Sequence, residues 1–86
     1  WHVLLRARAI ENGCYVFAPA QTGTHIHTRQ KTYGHSLIID PWGTVLADAG
    51  NAAPMLIVSD VETARIQSAR EQIPSLRHDR PFALPL

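Results

Sequence analysis

Residues 33–47, YGHSLIIDPWGTVLA, contain the pattern that decides the fold. His35 to Asp40 predict a strand, and the continuous apolar run inside it predicts burial on both faces. Asp40-Pro41-Trp42-Gly43 predicts a turn, because Asp and Pro favour its first two positions and Gly accepts a positive φ. Thr44 to Ala47 predict the returning strand, so residues 35–48 are expected to form a β-hairpin.

Upstream of the hairpin, residues 1–12 predict an amphipathic helix, because apolar residues recur at helical spacing. Asn12-Gly13 supplies its C-terminal stop, since Gly tolerates the left-handed conformation that closes a helix. Residues 14–18 are rich in aromatic and β-branched residues and predict a buried strand that ends at Pro19. Residues 21–34 lack apolar periodicity and predict a long loop, a kind of segment that often carries function.

Downstream of the hairpin, Met55 to Val58 predict a further strand. Asp60 is expected to cap a final helix, with Glu62 in its first turn, where the helix dipole favours an anion. Pro74 should end this helix. Residues 74–86 then predict an extended C-terminal arm. The apolar stripe of the helix is expected at Ile66, Ala69 and Ile73.

The predicted strands are almost continuously apolar, so they need cover on both faces, which two short helices cannot supply. The sequence also begins inside a helical pattern, with no N-cap residue before Trp1. We therefore expect residues 1–86 to form one piece of a larger α/β domain, an α+β-like fragment whose N-terminus is a cut.

Composition excludes several classes of protein. Eight Lys and Arg against seven Asp and Glu give a net charge of +1, too balanced to favour a nucleic-acid or membrane-surface partner. No apolar run is long enough to span a bilayer. Cys14 is the single cysteine, so no internal disulfide can form, and a cytoplasmic location is expected.

Several residues could carry chemistry, and each has a structural alternative that we favour. Cys14 could be a nucleophile, but a free cysteine in an apolar strand is more often simply buried. His25 and His27 alternate as metal ligands would, yet further ligands at suitable spacing are lacking, so solvated loop histidines and no metal are expected. Glu11 could be an acid or base, but a salt bridge with Arg8 is favoured.

For the remaining candidates a structural or solvated role is also favoured over a catalytic or binding role. His35 is expected to be a hydrogen-bonded structural residue rather than a catalytic base, and His2 shows no pattern that indicates function. Arg29 and Lys31 could hold an anionic substrate, but solvated loop charges are commoner. These residues alone indicate one loop that could carry function, and they do not make up a complete set of catalytic residues.

Three stretches together resemble the nitrilase-like carbon–nitrogen hydrolases, and most closely their bacterial amidase and nitrilase-homologue branch. They are RARAIENGCYV at residues 6–16, APAQTG at residues 18–23, and the hairpin stretch at residues 33–47. The resemblance implies the C-terminal part of an α-β-β-α sandwich, and homo-oligomers in which sandwiches stack. It implies hydrolysis of a non-peptide C–N bond in a small amide, carbamoylated amine or nitrile, by a Cys nucleophile, a Glu base and a Lys, without a cofactor.

In this family the catalytic Cys, Glu and Lys all precede the segment present here, so the resemblance implies no catalytic residue in this chain. Cys14 matches a variable position of the family pattern. The matched residues implied to be structural are Arg6, Glu11, Asn12, His35 and Ser36. Ala20, Gln21 and Thr22 are predicted to border the substrate pocket, with the loop to Tyr33 as a substrate-selective lid.

Two alternatives stay open on the sequence. The chain could belong to a non-catalytic member or module that uses the same fold for assembly or binding. It could also belong to a protein with an acyl-transfer or glutaminase role. For the 86 residues alone we predict no hydrolase activity and poor solubility, because apolar strand faces would lack partners.

Overall fold

A three-stranded antiparallel sheet with helix α1 against it forms the centre of the molecule. The computed structural model describes residues 1–85. In chain order the elements are α1 (His2–Asn12), β1 (Val16–Ala18), β2 (Leu37–Ile39), β3 (Val45–Asp48), α2 (Thr63–Gln72) and a short 3-10 helix (Ser75–Arg77). The sheet order is β1-β2-β3, so the central strand is the one inside the predicted hairpin. The predicted hairpin is thus confirmed.

The central strand supplies most of the core. Leu37, Ile38 and Ile39 are 1%, 3% and 0% exposed, which confirms the burial predicted from their continuous apolar run. Leu37 and Ile39 pack with Ala9 of α1, and the partly buried Leu5 and Val16 complete this cluster. This cluster therefore lies between α1 and one face of the sheet.

The turn of the hairpin is locked by Asp40. Its Oδ1 accepts hydrogen bonds from the backbone N–H groups of Trp42 and Thr44, both at 2.9 Å. Gly43 has a φ of 81°, and a Cβ there would lie 2.7 Å from Cδ1 of Ile10. Glycine is required for both reasons, because it permits a positive φ and the close approach of α1.

Helix α1 ends as the sequence predicts. Gly13 has φ 57° and ψ 46°, the left-handed conformation. Its N–H donates to the carbonyl of Ile10 at 3.3 Å, and the N–H of Cys14 donates to the carbonyl of Ala9 at 3.1 Å. These bonds satisfy carbonyl groups that the end of a helix leaves free and turn the chain directly into the sheet.

Two strand predictions need correction. Strand β1 is shorter than predicted and only partly buried, with Phe17 55% exposed on the face away from α1. Met55 to Val58 form no strand, and Met55, Leu56 and Val58 are 62%, 85% and 79% exposed. A strand needs a neighbour for its backbone hydrogen bonds, and this run pairs with no strand of residues 1–85.

The start of α2 also differs from the prediction. The N-cap is Glu62 rather than Asp60, and no side chain caps the helix. The N–H of Glu62 donates to the hydroxyl of Tyr15 at 3.1 Å, and Glu62 is still extended, with φ −102° and ψ 108°. This contact with a distant residue replaces the cap that local sequence favours. The helix ends before Pro74, as predicted.

The apolar stripe and the arm are confirmed only in part. Ala69 is buried and Ile66 partly buried, but Ile73 is 47% exposed because it follows the last residue of α2. Residues 75–77 form the short helix instead of an extended arm, since the N–H groups of Arg77 and His78 bond to carbonyls three residues back. Leu86 lies outside the described residues.

The described chain is flat. Its Cα atoms extend 55 × 38 × 15 Å, and their radius of gyration is 17.6 Å. A compact domain of this length would have a radius of about 12 Å. The chain therefore spreads into a thin slab whose outer faces keep many large apolar side chains exposed.

Candidate functional site

The most connected polar cluster lies where α1 begins and β3 ends. Nε2 of His2 is 2.8 Å from Oδ2 of Asp48, and Nδ1 of His35 is 2.9 Å from Oδ1 of the same carboxylate. The two imidazole rings are 5.2 Å apart at a steep angle of 70°. One carboxylate thus bridges two histidines that are 33 residues apart in the sequence.

The surroundings of Asp48 favour its charged form. Its pKa is lowered from the ordinary value of 3.8 to about 2, first by the hydrogen bond from His2 and next by the N–H of Gly50, with His35 adding to the shift. The N–H of Gly50 lies 2.8 Å from Oδ1. Hydrogen bonds and positive partners stabilise a carboxylate more than a carboxylic acid, which explains the direction.

Backbone hydrogen bonds and a stacked aromatic ring hold His35 in place. It has a left-handed φ of 57°, its N–H donates to the carbonyl of Gly50 at 2.8 Å, and its carbonyl accepts from Nε1 of Trp1 at 2.7 Å. The ring of Tyr33 stacks on its imidazole with centroids 4.4 Å apart. His35 is thus the hydrogen-bonded residue that the sequence predicts.

Sequence reasoning missed the rest of this cluster. His2 showed no pattern, and Asp48 and Tyr33 were not singled out. Forty-six residues separate His2 from Asp48, so only the folded hairpin and helix bring the two together. No local spacing in the sequence could have revealed the cluster.

The three predicted pocket residues share a second location. Ala20, Gln21 and Thr22 lie on the wall of a shallow depression of about 540 Å³ that Ser36 and His25 also border. The hydroxyl of Ser36 accepts from the N–H of Ala20 at 2.8 Å and lies 3.3 Å from its carbonyl. Ser36 directly precedes β2, so these bonds tie the segment to the start of that strand. Contact of these residues with a substrate stays a prediction.

The loop that follows is closed on itself. The N–H and hydroxyl of Thr32 both donate to the carbonyl of Gly23, at 2.8 and 2.9 Å. Closer to the tip, the N–H of His25 donates to the carbonyl of Gln30 at 2.8 Å. Residues 12–39 contain no Asp or Glu, so every charged side chain in this loop is basic.

The other predicted structural residues make local contacts. Nε of Arg6 donates to the carbonyl of Gly43 at 2.7 Å and so attaches α1 to the hairpin turn. Glu11 forms an ion pair with Arg8, as predicted, and Nδ2 of Asn12 donates to the carbonyl of Arg8 at 2.8 Å.

Cys14 is partly buried, and no side-chain base of residues 1–85 forms a hydrogen bond with its Sγ. A nucleophilic thiol needs such a base or another source of positive charge. The described residues therefore give Cys14 no activating hydrogen-bond partner.

A larger depression, of about 660 Å³, lies between the end of α1 and helix α2. Arg70 bridges its two sides, with Nη2 3.5 Å from the carbonyl of Asn12. Among the described residues that line it, the titratable groups form no hydrogen-bonded cluster comparable to that at Asp48. Among residues 1–85 there is no helix with the length and apolarity that crossing a membrane requires.

Comparison with known proteins gives consistent matches. A sequence model of the family described as carbon-nitrogen hydrolase matches residues 1–71. The chain is 56% identical over 78 residues to a deaminated glutathione amidase from Synechocystis, a match that covers 91% of this chain. The chain spans only 28% of that curated relative.

Solved structures agree in fold. The NitFhit protein of Caenorhabditis elegans superposes with a TM-score of 0.78 at 43% identity, over 93% of this chain and 19% of that protein. XC1258 of Xanthomonas campestris, a CN-hydrolase superfamily protein with an arsenic adduct in its active site, superposes with a TM-score of 0.82 at 28% identity. That match covers 98% of this chain and 31% of XC1258.

Proposed function

Because this chain belongs to the carbon–nitrogen hydrolase family, we propose that it forms the C-terminal portion of an amidase. The reacting groups would be a Cys thiolate that attacks the amide carbonyl, a Glu that transfers protons, and a Lys that faces the developing oxyanion. All three would stand in sequence that precedes Trp1. The hydrolysed bond would be a non-peptide C–N bond of a small molecule.

One observation carries this proposal. The identity of 56% to a deaminated glutathione amidase extends over 78 residues, which is 91% of this chain. Identity at this level over a whole substructure supports a common chemistry more strongly than a shared fold does, because folds host many unrelated functions.

The substrate class we propose is an amide that carries carboxylate groups. By its chemistry, deaminated glutathione keeps the carboxylates of glutathione and lacks its ammonium group. The basic loop suits such a substrate, since residues 12–39 carry Arg29 and Lys31 and no acidic residue. An excess of positive charge beside a pocket attracts anions and raises their rate of association.

The chain's own contribution would be one wall of the substrate pocket. Ala20, Gln21 and Thr22 border the shallow depression, and Ser36 holds this segment in place through Ala20. His25 stands on the same wall and belongs to the loop that we propose as a lid. Such a wall would position the substrate, which bears both on the substrate that is accepted and on the rate at which it reacts.

We also propose that the complete protein forms homo-oligomers by stacking of sandwiches and acts in the cytoplasm. The exposed apolar side chains on the outer faces of the slab support burial against further polypeptide. Sedimentation of the complete protein tests the first point, with a purely monomeric species as the contrary result. Fluorescent tagging in the source cell tests the second, with export as the contrary result.

The function is tested with the complete protein that contains this chain. It is incubated with deaminated glutathione, with simple amides and with nitriles, and released amine or ammonia is measured. We expect amide hydrolysis that iodoacetamide abolishes. A folded protein that releases nothing from any of these compounds would support the alternative, a non-catalytic module for assembly or binding.

A further inference from the structure

We propose that His2, His35 and Asp48 form a binding site for a divalent first-row transition-metal ion, with Zn²⁺ as the best-fitting ion. The three ligand atoms all lie within 4.8 Å of one another. This inference does not depend on the proposed amidase activity. It departs from the expectation of no metal, which rested on the lack of further ligands near His25 and His27 and on the family resemblance.

The distances suit a metal polyhedron. Zinc binds imidazole nitrogen and carboxylate oxygen at about 2.0–2.1 Å, so neighbouring ligand atoms around it are roughly 3 Å apart. Nε2 of His2 is 2.8 Å from Oδ2 of Asp48, and Nδ1 of His35 is 2.9 Å from Oδ1, so each imidazole has this spacing to one of the two carboxylate oxygens. The remaining spacing, between the two imidazole nitrogens, shortens toward the same value as the ion is bound.

The ligand types select the metal. Two imidazoles and one carboxylate suit Zn²⁺ and its neighbours in the first transition row, whereas Mg²⁺ and Ca²⁺ prefer oxygen ligands throughout. Three protein ligands leave at least one position for water. The side chains of His2, His35 and Asp48 are 32%, 23% and 33% exposed, so both the ion and its water can reach them.

Neighbouring groups orient the ligands. The N–H of Gly50 holds one carboxylate oxygen of Asp48, and the stacked ring of Tyr33 fixes the plane of the His35 imidazole. Metal sites commonly depend on such outer contacts, because they keep each ligand in the orientation that the ion requires.

Besides this approach of the two nitrogens, binding needs a shift of protons within the two rings. The nitrogens that face Asp48 must be unprotonated to donate an electron pair to the ion. His2 then carries its proton on Nδ1 and His35 on Nε2. The bound ion would join the first turn of α1 to the end of β3, at a helix start that has no side-chain cap.

The experiment is a calorimetric titration of the complete protein with Zn²⁺, after iodoacetamide has blocked its thiols. We expect one equivalent to bind, and His2→Gln and Asp48→Asn each to weaken binding at least about tenfold. The matched control is the double variant His25→Gln, His27→Gln, which removes two exposed imidazoles outside the cluster and should bind Zn²⁺ as the parent does.

Two results would overturn the proposal: the parent does not bind Zn²⁺, or both cluster variants bind it as tightly as the parent. X-ray absorption of the zinc-loaded parent gives a second measurement that needs no variant. Two imidazoles with oxygen ligands around the zinc support the site. A shell with fewer than two imidazoles rules it out.

Discussion

Residues 37–39 and residues 55–58 are both short apolar runs, LII and MLIV, and they differ completely in the structure. The first is the central strand and is at most 3% exposed, whereas Leu56 in the second is 85% exposed and belongs to no strand. Strands β1 and β3 pair with the first run, one on each side, and the second run has no partner strand among residues 1–85. An apolar run predicts a buried strand only when its neighbours are present.

The largest expected effect follows from this missing partner. Expressed alone, the 86 residues should aggregate and show no amide hydrolysis, because exposed apolar strands associate with one another. Sedimentation and an amidase assay on the isolated chain check this. A soluble monomer that melts cooperatively would show that the second run needs no cover.

Truncation of the central strand should have the next largest effect. Ile39→Ala in the complete protein should lower the free energy of unfolding by about 2–5 kcal/mol, because it removes a fully buried side chain that packs on Ala9. Urea denaturation measures the change. A loss below about 1 kcal/mol would mean that this core contributes little to the stability of the complete protein.

Leu56→Ala tests whether residues 55–58 are buried in the complete protein. If further polypeptide covers residues 55–58 in the complete protein, as we expect, this substitution should destabilise it by about 2 kcal/mol or more. The same urea experiment applies. A change within about 0.5 kcal/mol is typical of an exposed position, and it would show that the run stays uncovered in the complete protein.

A smaller effect is expected at the hairpin turn. Gly43→Ala should destabilise the protein by about 1–3 kcal/mol, because the new methyl group meets Ile10 and the backbone has a positive φ. Gly23→Ala is the matched control, since its φ is also positive but its Cβ would meet nothing within 4 Å. Equal losses for the two variants would exclude a contribution from the contact with Ile10.

The smallest expected effect concerns Asp48 in metal-free buffer. Folding lowers the pKa of this carboxyl, so its contribution to stability is complete above the ordinary pKa of 3.8 and is lost as the pH falls toward about 2. Chemical denaturation of parent and Asp48→Asn across this range measures it, and the parent should show the steeper loss. If the stability of the two proteins fell in parallel with pH, a lowered pKa of Asp48 in the folded state would be contradicted.

The fold was predictable where a few neighbouring residues decide it. Asp40 and Gly43 indicate the turn, and Gly13 indicates the end of α1, since each position demands a particular backbone conformation. The N-cap at Glu62 was not predictable, because the hydroxyl of Tyr15, 47 residues away, takes its N–H.

The candidate site shows the same limit. His35 could be assigned a structural role from its place before a strand. Its partners could not be found, because His2 and Asp48 meet only after the helix has packed on the hairpin. Ala20, Gln21 and Thr22 were singled out through the family resemblance, and their role in binding a substrate stays a prediction.

The two hydrogen bonds from Thr32 to the carbonyl of Gly23 determine where this protein can accept insertions. It fixes the base of the loop, so residues added at the tip would extend a closed ring without pulling on the sheet. Doubling the length of such a ring costs only about 0.6 kcal/mol in entropy. The tip is therefore a place where insertions leave the scaffold intact, and where new selectivity can be acquired at little risk to folding.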